Sequence, residues 1–161
     1  MENGHKTLLS VRNLKTYFFQ DEGIVKAVDG ATFDVHAGQT LGIVGESGCG
    51  KSVTAQSILR IVDQPGRIVD GEITLRCANG ANVDLARLHS NSKEMRAIRG
   101  TEIGLVFQEP MTSFSPVHTV GAQIIEAVRL HCDANKRQAR ERAIEVLGQV
   151  GIPHAERRID E

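Results

Sequence analysis

The sequence lacks the features that mark several large function classes. Its formal net charge is only −1, from 19 Lys and Arg against 20 Asp and Glu, so it has no basic field for general nucleic-acid binding. Cys49, Cys77 and Cys132 are few and far apart, with no C-x-x-C pair and no histidine at metal-ligand spacing. They read as reduced thiols, with neither a disulfide framework nor a zinc site implied. No apolar run approaches the ~20 residues of a membrane span. No basic-then-apolar leader is recognisable, since Met1 to Lys6 leads straight into a strand-like run. The chain is therefore not expected to cross a membrane by itself. No internal repeat or low-complexity tract occurs.

What is present is enough apolar residue for a core, 40% of 161 positions, in a length typical of one domain (~100–200 residues). One motif outweighs everything else. Gly45-Glu46-Ser47-Gly48-Cys49-Gly50-Lys51-Ser52 fits G-x-x-x-x-G-K-[ST]. An apolar run of strand type, residues 40–44, precedes it. Residues 52–62 follow it and place Val53, Ile58, Leu59, Ile61 and Val62 as an amphipathic helix does.

The chemistry explains the residue types. A nucleoside triphosphate brings several negative charges, and successive backbone N–H groups at the positive end of a helix form a concave site for them. Gly45, Gly48 and Gly50 let the backbone curl close to phosphate, where a Cβ is penalised. Lys51 is expected to reach the β- and γ-phosphates of ATP, and the Ser52 hydroxyl to ligate Mg²⁺. Cys49 reads as a small residue filling the fifth place of the loop.

Around this motif, residues 7–19 read as a strand with an aromatic end and residues 31–35 as a second strand. Residues 71–76 are expected to form a half-buried strand and residues 92–99 a polar helix. The early strands are expected to form an antiparallel layer beside the nucleotide core. Residues 103–107 read as a further buried strand ending at Gln108. Two helices follow, with stripes at Val120, Ile124, Ile125, Val128 and at Ala143, Ile144, Leu147, Val150. Lys136, Arg137, Arg140 and Arg142 crowd the start of the last helix and read as a solvated face.

With Ala27-Val28-Asp29-Gly30, residues 41–52 and Val106-Phe107-Gln108-Glu109-Pro110-Met111-Thr112-Ser113 together, the chain resembles the nucleotide-binding subunits of ABC transporters. The closer resemblance is to ATP-binding subunits of bacterial peptide importers, the dipeptide, oligopeptide and nickel group. The resemblance implies an α/β fold: a P-loop NTPase core with an N-terminal antiparallel β layer, over about 1–110, and a Q-loop with the start of a helical subdomain over 111–161. It implies that Gln108 completes the Mg²⁺ and water shell, and that Tyr17 or Phe18 stacks on adenine. It also implies partners: transmembrane permease subunits, a second ATP-binding subunit, identical or not, and indirectly an extracytoplasmic solute-binding protein. The location implied is cytoplasmic and peripheral, on the inner face of the cell membrane. Phe114-Ser115 departs from the family's usual Leu-Asn.

The family pattern continues with a Leu-Ser-Gly-Gly-Gln type signature, a strand ending in Asp-Glu and a switch histidine, and none occurs in these 161 residues. The chain is therefore expected to be the N-terminal part of a subunit, able to bind ATP but holding no complete catalytic set. It is expected to be only marginally stable, with an unpaired apolar edge around Leu41, Ile43 and Val44. A small P-loop kinase or a non-hydrolysing nucleotide-binding module are the alternatives from other classes.

Overall fold

The computed structural model describes residues 6–107 and 114–161. The chain divides into two compact units, Met1–Ile103 and Gly104–Glu161.

The first unit is built on four antiparallel strands: β1 (Thr7–Gln20), β2 (Gly23–His36), β3 (Gly66–Arg76) and β4 (Asn82–Asp84). Their spatial order is β2-β1-β3-β4. The antiparallel layer expected from sequence is present, with longer strands than expected. β2 runs as a 14-residue hairpin partner of β1 and is not confined to residues 31–35.

β1 does not alternate evenly, and the reason is local. Asn13 takes φ 47°, a left-handed conformation that Asn tolerates better than most residues. Its N–H donates to Thr32 Oγ1 at 2.9 Å. The ladder shifts register between Val11 and Leu14. The inward set therefore changes phase, from Leu9 and Val11 to Leu14 and Thr16. Two further bulges lie on β2: Gly30 is extra between the partners of Leu14 and Lys15, and Ala27 between Val28, the partner of Thr16, and Lys26, the partner of Tyr17.

The inner face of the sheet carries the core. Val11, Leu14, Ile73, Leu85 and Met95 are fully buried, packed with Val28, Leu75 and Ile98. Each such apolar side chain contributes about 1.5–3 kcal/mol by leaving water. Leu85 comes from a 3-10 turn, Leu85–Arg87, and Met95 and Ile98 from helix α2 (Lys93–Thr101). The start of α2 is set by Ser92, whose Oγ accepts from the N–H of Met95, a cap worth about 1 kcal/mol. The phosphate-loop helix α1 (Lys51–Ile58) is shorter than the expected residues 52–62. It stops because Arg60 turns to φ 56°, and Leu59 is buried beyond its end.

Two expected strands are not in a ladder. Residues 40–44 and 103–107 pair with no described residue. A strand exists by hydrogen bonding to a neighbouring edge, and a doubly buried parallel strand needs neighbours on both sides. Leu41, Ile43 and Val44 are 44%, 50% and 95% exposed.

The second unit contains α3 (Val120–His131), α4 (Lys136–Gln149) and the short α5 (Ala155–Arg158), which the sequence pattern did not announce. Ala143, Leu147 and Ile159 form its small core, with Val120, Ile124, Ile125 and Ile144 against them. Val150, expected in the α4 stripe, is 68% exposed because it lies past the last helical residue as the C-cap. The basic start of α4 is compensated: Asn135 and Gln138 form a reciprocal capping box. Arg137, Arg140 and Arg142 pair with Glu141, Asp160 and Glu145 on the surface. No helix among the described residues is long and apolar enough to cross a membrane.

Candidate functional site

The candidate site is assembled in the first unit from one loop, one helix start and one bulged strand. Gly48 and Gly50 take φ 82° and 90°, the left-handed region open to glycine at little cost. Gly50 also lies hard against β2. A Cβ at this position would sit 2.1 Å from the carbonyl oxygen of Ala27 and 3.6 Å from Val28 Cγ2. The bulge at Ala27 thus aims its carbonyl at the last loop glycine, and no other residue type fits there.

Gly50 is the N-cap of α1, and no side chain caps the helix. Among the described residues, nothing accepts from the N–H groups of Gly48, Gly50, Lys51 or Ser52. Uncapped helix starts leave polar hydrogens with partial positive charge. Lys51 Nζ folds back over the loop, donating to the carbonyls of Gly45 at 2.7 Å and Glu46 at 2.6 Å, with Cys49 Sγ at 3.5 Å. Cys49 Sγ also fills the space in front of Gly45, where a Cβ would lie 2.5 Å away. Ser52 is exposed on the first turn. Four amides, an ammonium and an exposed hydroxyl converge at one helix start, a donor set suited to an anion with several oxygens and a hard cation.

The helix behind the loop is held by buried polar groups. Thr54 Oγ1 donates to the Gly50 carbonyl at 2.9 Å and Ser57 Oγ to the Val53 carbonyl at 2.6 Å. Thr16 Oγ1 of β1 lies 2.8 Å from Ser57 Oγ, both residues fully buried. Periodicity in the sequence drew attention to Val53, Ile58 and Leu59. Val53 and Ile58 do pack against the core and Leu59 is buried. The most buried residues within α1 are nevertheless Thr54 and Ser57, a burial that Thr and Ser in a helix signalled only weakly.

The two aromatic candidates fall on opposite sides of β1. Thr16 faces α1, and Phe18 shares its side, two residues on in an unbroken register against β3. Phe18 Cε1 and Val62 Cγ1 would each lie 2.7 Å from a Cβ at Gly66. Tyr17 faces the other way. Its hydroxyl donates to Asp29 Oδ1 at 2.6 Å, and Lys26 Nζ stands 5.4 Å from its ring centroid. The Asp29 hydrogen bond raises the phenol above its ordinary value. The same bond, helped by Lys26, holds the Asp29 carboxyl below the usual carboxylate range. Gln108 lies outside the described residues.

A concavity of about 810 Å³ lies in the second unit, between α3, the start of α4 and Ile159. Neither the loop nor the aromatic strand lines it. Its size does not make it the chemical site, because it brings no loop amides or hydroxyl–cation pair together.

Known proteins with related sequence show the family. The chain is 47% identical over 154 residues to the probable peptide ABC transporter ATP-binding protein y4tR of Sinorhizobium fredii, covering 95% of this chain and 44% of that protein. It is 46% identical to the oligopeptide transport ATP-binding protein AppD of Bacillus subtilis, covering 93% of this chain and 44% of AppD. It is 42% identical to the dipeptide transport ATP-binding protein DppD of Escherichia coli, covering 95% and 45%. The chain thus spans less than half the length of these relatives. Among solved structures, the dimeric bacterial ABC transporter cassette MJ0796 superposes with a TM-score of 0.70 at 22% identity, over 88% of this chain and 56% of that one. MJ0796 in a post-hydrolysis state bound to ADP and Pi superposes with a TM-score of 0.76 at 21% identity, over 96% and 61%. Both show the same fold. The ABC transporter family model matches residues 28–161, and a match over most of its length places this chain in the ABC transporter family.

Proposed function

We propose that this chain is the nucleotide-holding part of the ATP-binding subunit of a peptide importer. The observation that carries the reading is the loop from Gly45 to Ser52. Its last glycine, Gly50, fits against β2, the amides of Gly48, Gly50, Lys51 and Ser52 have no acceptor among the described residues, and its lysine ammonium is already over it. The names of the peptide-transport relatives support the substrate class.

ATP with Mg²⁺ fits these residues. The bound pair supplies a transferable phosphoryl group and a cation that offsets its charge. The rest is done by the chain. Gly45, Glu46, Ser47, Gly48, Cys49 and Gly50 shape the cradle, and their amides donate to phosphate oxygens. Lys51 exchanges its two carbonyl acceptors for the terminal phosphates, a stronger charge-assisted contact. The Ser52 hydroxyl holds Mg²⁺, with the Gln108 amide oxygen as a second ligand. Phe18, on the α1 side of β1, is the ring that stacks on adenine. Tyr17, tied to Asp29 on the far side, supports the strand. ATP hydrolysis and transport belong to the whole subunit. It works at the cytoplasmic face of the membrane with transmembrane permease subunits, a second ATP-binding subunit and, indirectly, a solute-binding protein.

The test is a titration of a fluorescent ATP analogue against the protein at its natural length and its Lys51→Ala variant. The expected loss is at least tenfold in affinity, about 1.4 kcal/mol, with the unfolding transition unchanged. Equal affinities overturn the assignment.

A further inference from the structure

We infer that the buried hydroxyl pair Thr16–Ser57 is a positioning device that sets the aromatic end of β1 relative to the phosphate loop. The inference rests on the nucleotide reading given above. Neither residue belongs to the loop, and neither touches the loop cradle itself.

The geometry defines the role. Ser57 Oγ gives its proton to the Val53 carbonyl at 2.6 Å, so in the 2.8 Å contact Thr16 Oγ1 donates and Ser57 Oγ accepts. Both residues are at 0% exposure. The chain Thr16 to Ser57 to Val53 is therefore complete, and no water competes with it. Thr16 stands two residues before Phe18 on the same side of β1. Val53 lies two residues after Lys51, in the first turn of α1. One hydrogen-bond relay thus runs from the strand that presents the ring to the turn that presents the lysine.

A second contact fastens the same hairpin nearby. Ala27, the bulged residue between the partners of Thr16 and Tyr17, presses its carbonyl oxygen on Gly50. The backbone contact fixes how close the hairpin comes to the loop. A single contact leaves rotation about it free. The hydroxyl pair supplies a second, directional point, which restricts that rotation and adds to the apolar packing of Val53 and Ile58 on the sheet core. Shape alone does not require hydroxyls here, because Val in place of Thr16 fills the same volume. A fully buried polar pair earns its place only through the directionality of its bond.

The consequence is specific. Loosening the pair should impair recognition of the nucleoside, which depends on where the ring sits, and spare the triphosphate, which depends on the loop alone. Calorimetric titration of the natural-length protein with MgATP and with Mg²⁺ plus inorganic tripolyphosphate separates the two. Thr16→Val should weaken MgATP binding about fivefold, the scale of one neutral hydrogen bond, and tripolyphosphate less than twofold. Thr16→Ser, which keeps the hydroxyl, should restore the ratio. Ser57→Ala should repeat the Thr16→Val ratio while lowering the unfolding midpoint further, because it leaves the Thr16 proton without an acceptor. In a Phe18→Ala background, Thr16→Val should change MgATP binding no further, the coupling expected of residues acting in one unit. An unchanged ATP-to-tripolyphosphate ratio in Thr16→Val, or equal losses for both ligands, overturns the positioning role while leaving the nucleotide reading intact. Failure of the wild-type protein to bind either ligand overturns both.

Discussion

β1 and residues 40–44 are both apolar-rich runs of strand character in one unit, and they finish in opposite environments. β1 is paired on both sides, by β2 and β3, and buries Val11, Leu14 and Thr16 completely. Residues 40–44 have no ladder partner among the described residues, and Val44 is 95% exposed. The difference lies in how each run satisfies its backbone. An antiparallel strand finds its partner across a short turn, here Asp21 and Glu22 between β1 and β2. A run that is apolar on both faces is of the parallel kind, whose neighbours come from distant sequence. Composition therefore announces a strand in both places, but only local connectivity makes the first one independent.

The sharpest way to break this comparison is to truncate each run in turn. Leu14→Ala should cost 2–5 kcal/mol (roughly, for a buried Leu) in urea unfolding. Val44→Ala should stay within about 0.5 kcal/mol, as exposed substitutions do. Equal costs would mean that residues 40–44 are packed in solution, and the contrast would collapse. The two faces of β1 offer a smaller effect. Phe18→Ala should weaken binding of a fluorescent ATP analogue by about tenfold, since stacking of a base on an aromatic is worth ~1–3 kcal/mol. Tyr17→Phe, which keeps the ring and removes only the bond to Asp29, should change it less than about twofold by the same scale. The reverse order places adenine on the other side of the strand.

The smallest effect is a pH dependence. Asp29, Asp34 and Asp70 are held below the ordinary carboxylate range, chiefly by bonds from Tyr17, Arg12 and Lys15 respectively. A carboxyl depressed in the folded state adds stability above its unfolded value, and that stability is lost as pH falls through the folded value. The sheet should therefore weaken on acidification below about pH 4, the ordinary Asp range. Tyr17→Phe should raise the Asp29 titration observed by NMR toward that range. An Asp29 titration identical in both proteins would remove the Tyr17 hydroxyl as its cause. Asp29 and Asp70 are exposed and Asp34 is partly so, so the change in unfolding midpoint should be slight.

Much of this was legible before any coordinates. The glycine-rich loop before α1, the antiparallel layer, the helix near residues 92–99 and most of the α3 and α4 stripes follow from glycine placement, alternation and periodicity. What escaped the pattern depends on contacts between distant residues. Thr54 and Ser57 are the most buried residues within α1, and apolar periodicity looks past hydroxyls. α5 is a single turn, too short for a periodic signal, and it is held through Ile159 in the core of its unit.

The amino-acid sequence by itself determined that a glycine-rich loop ending in Lys51 and Ser52 sits between a strand-like run and a helix, because the motif's spacing and its flanking patterns are all local in sequence. It also determined that a run of aromatics, Tyr17 to Phe19, stands near the end of the first strand, but not which ring shares the side of α1. That was decided by tertiary structure. The left-handed turn at Asn13 shifts the phase of β1 by one residue, putting Thr16 and Phe18 on the side of α1 and sending Tyr17 to Asp29. With a period of two, one extra residue exchanges the faces of everything downstream. Only the pairing of Asn13 with Thr32, nineteen positions away, reveals where that residue is inserted.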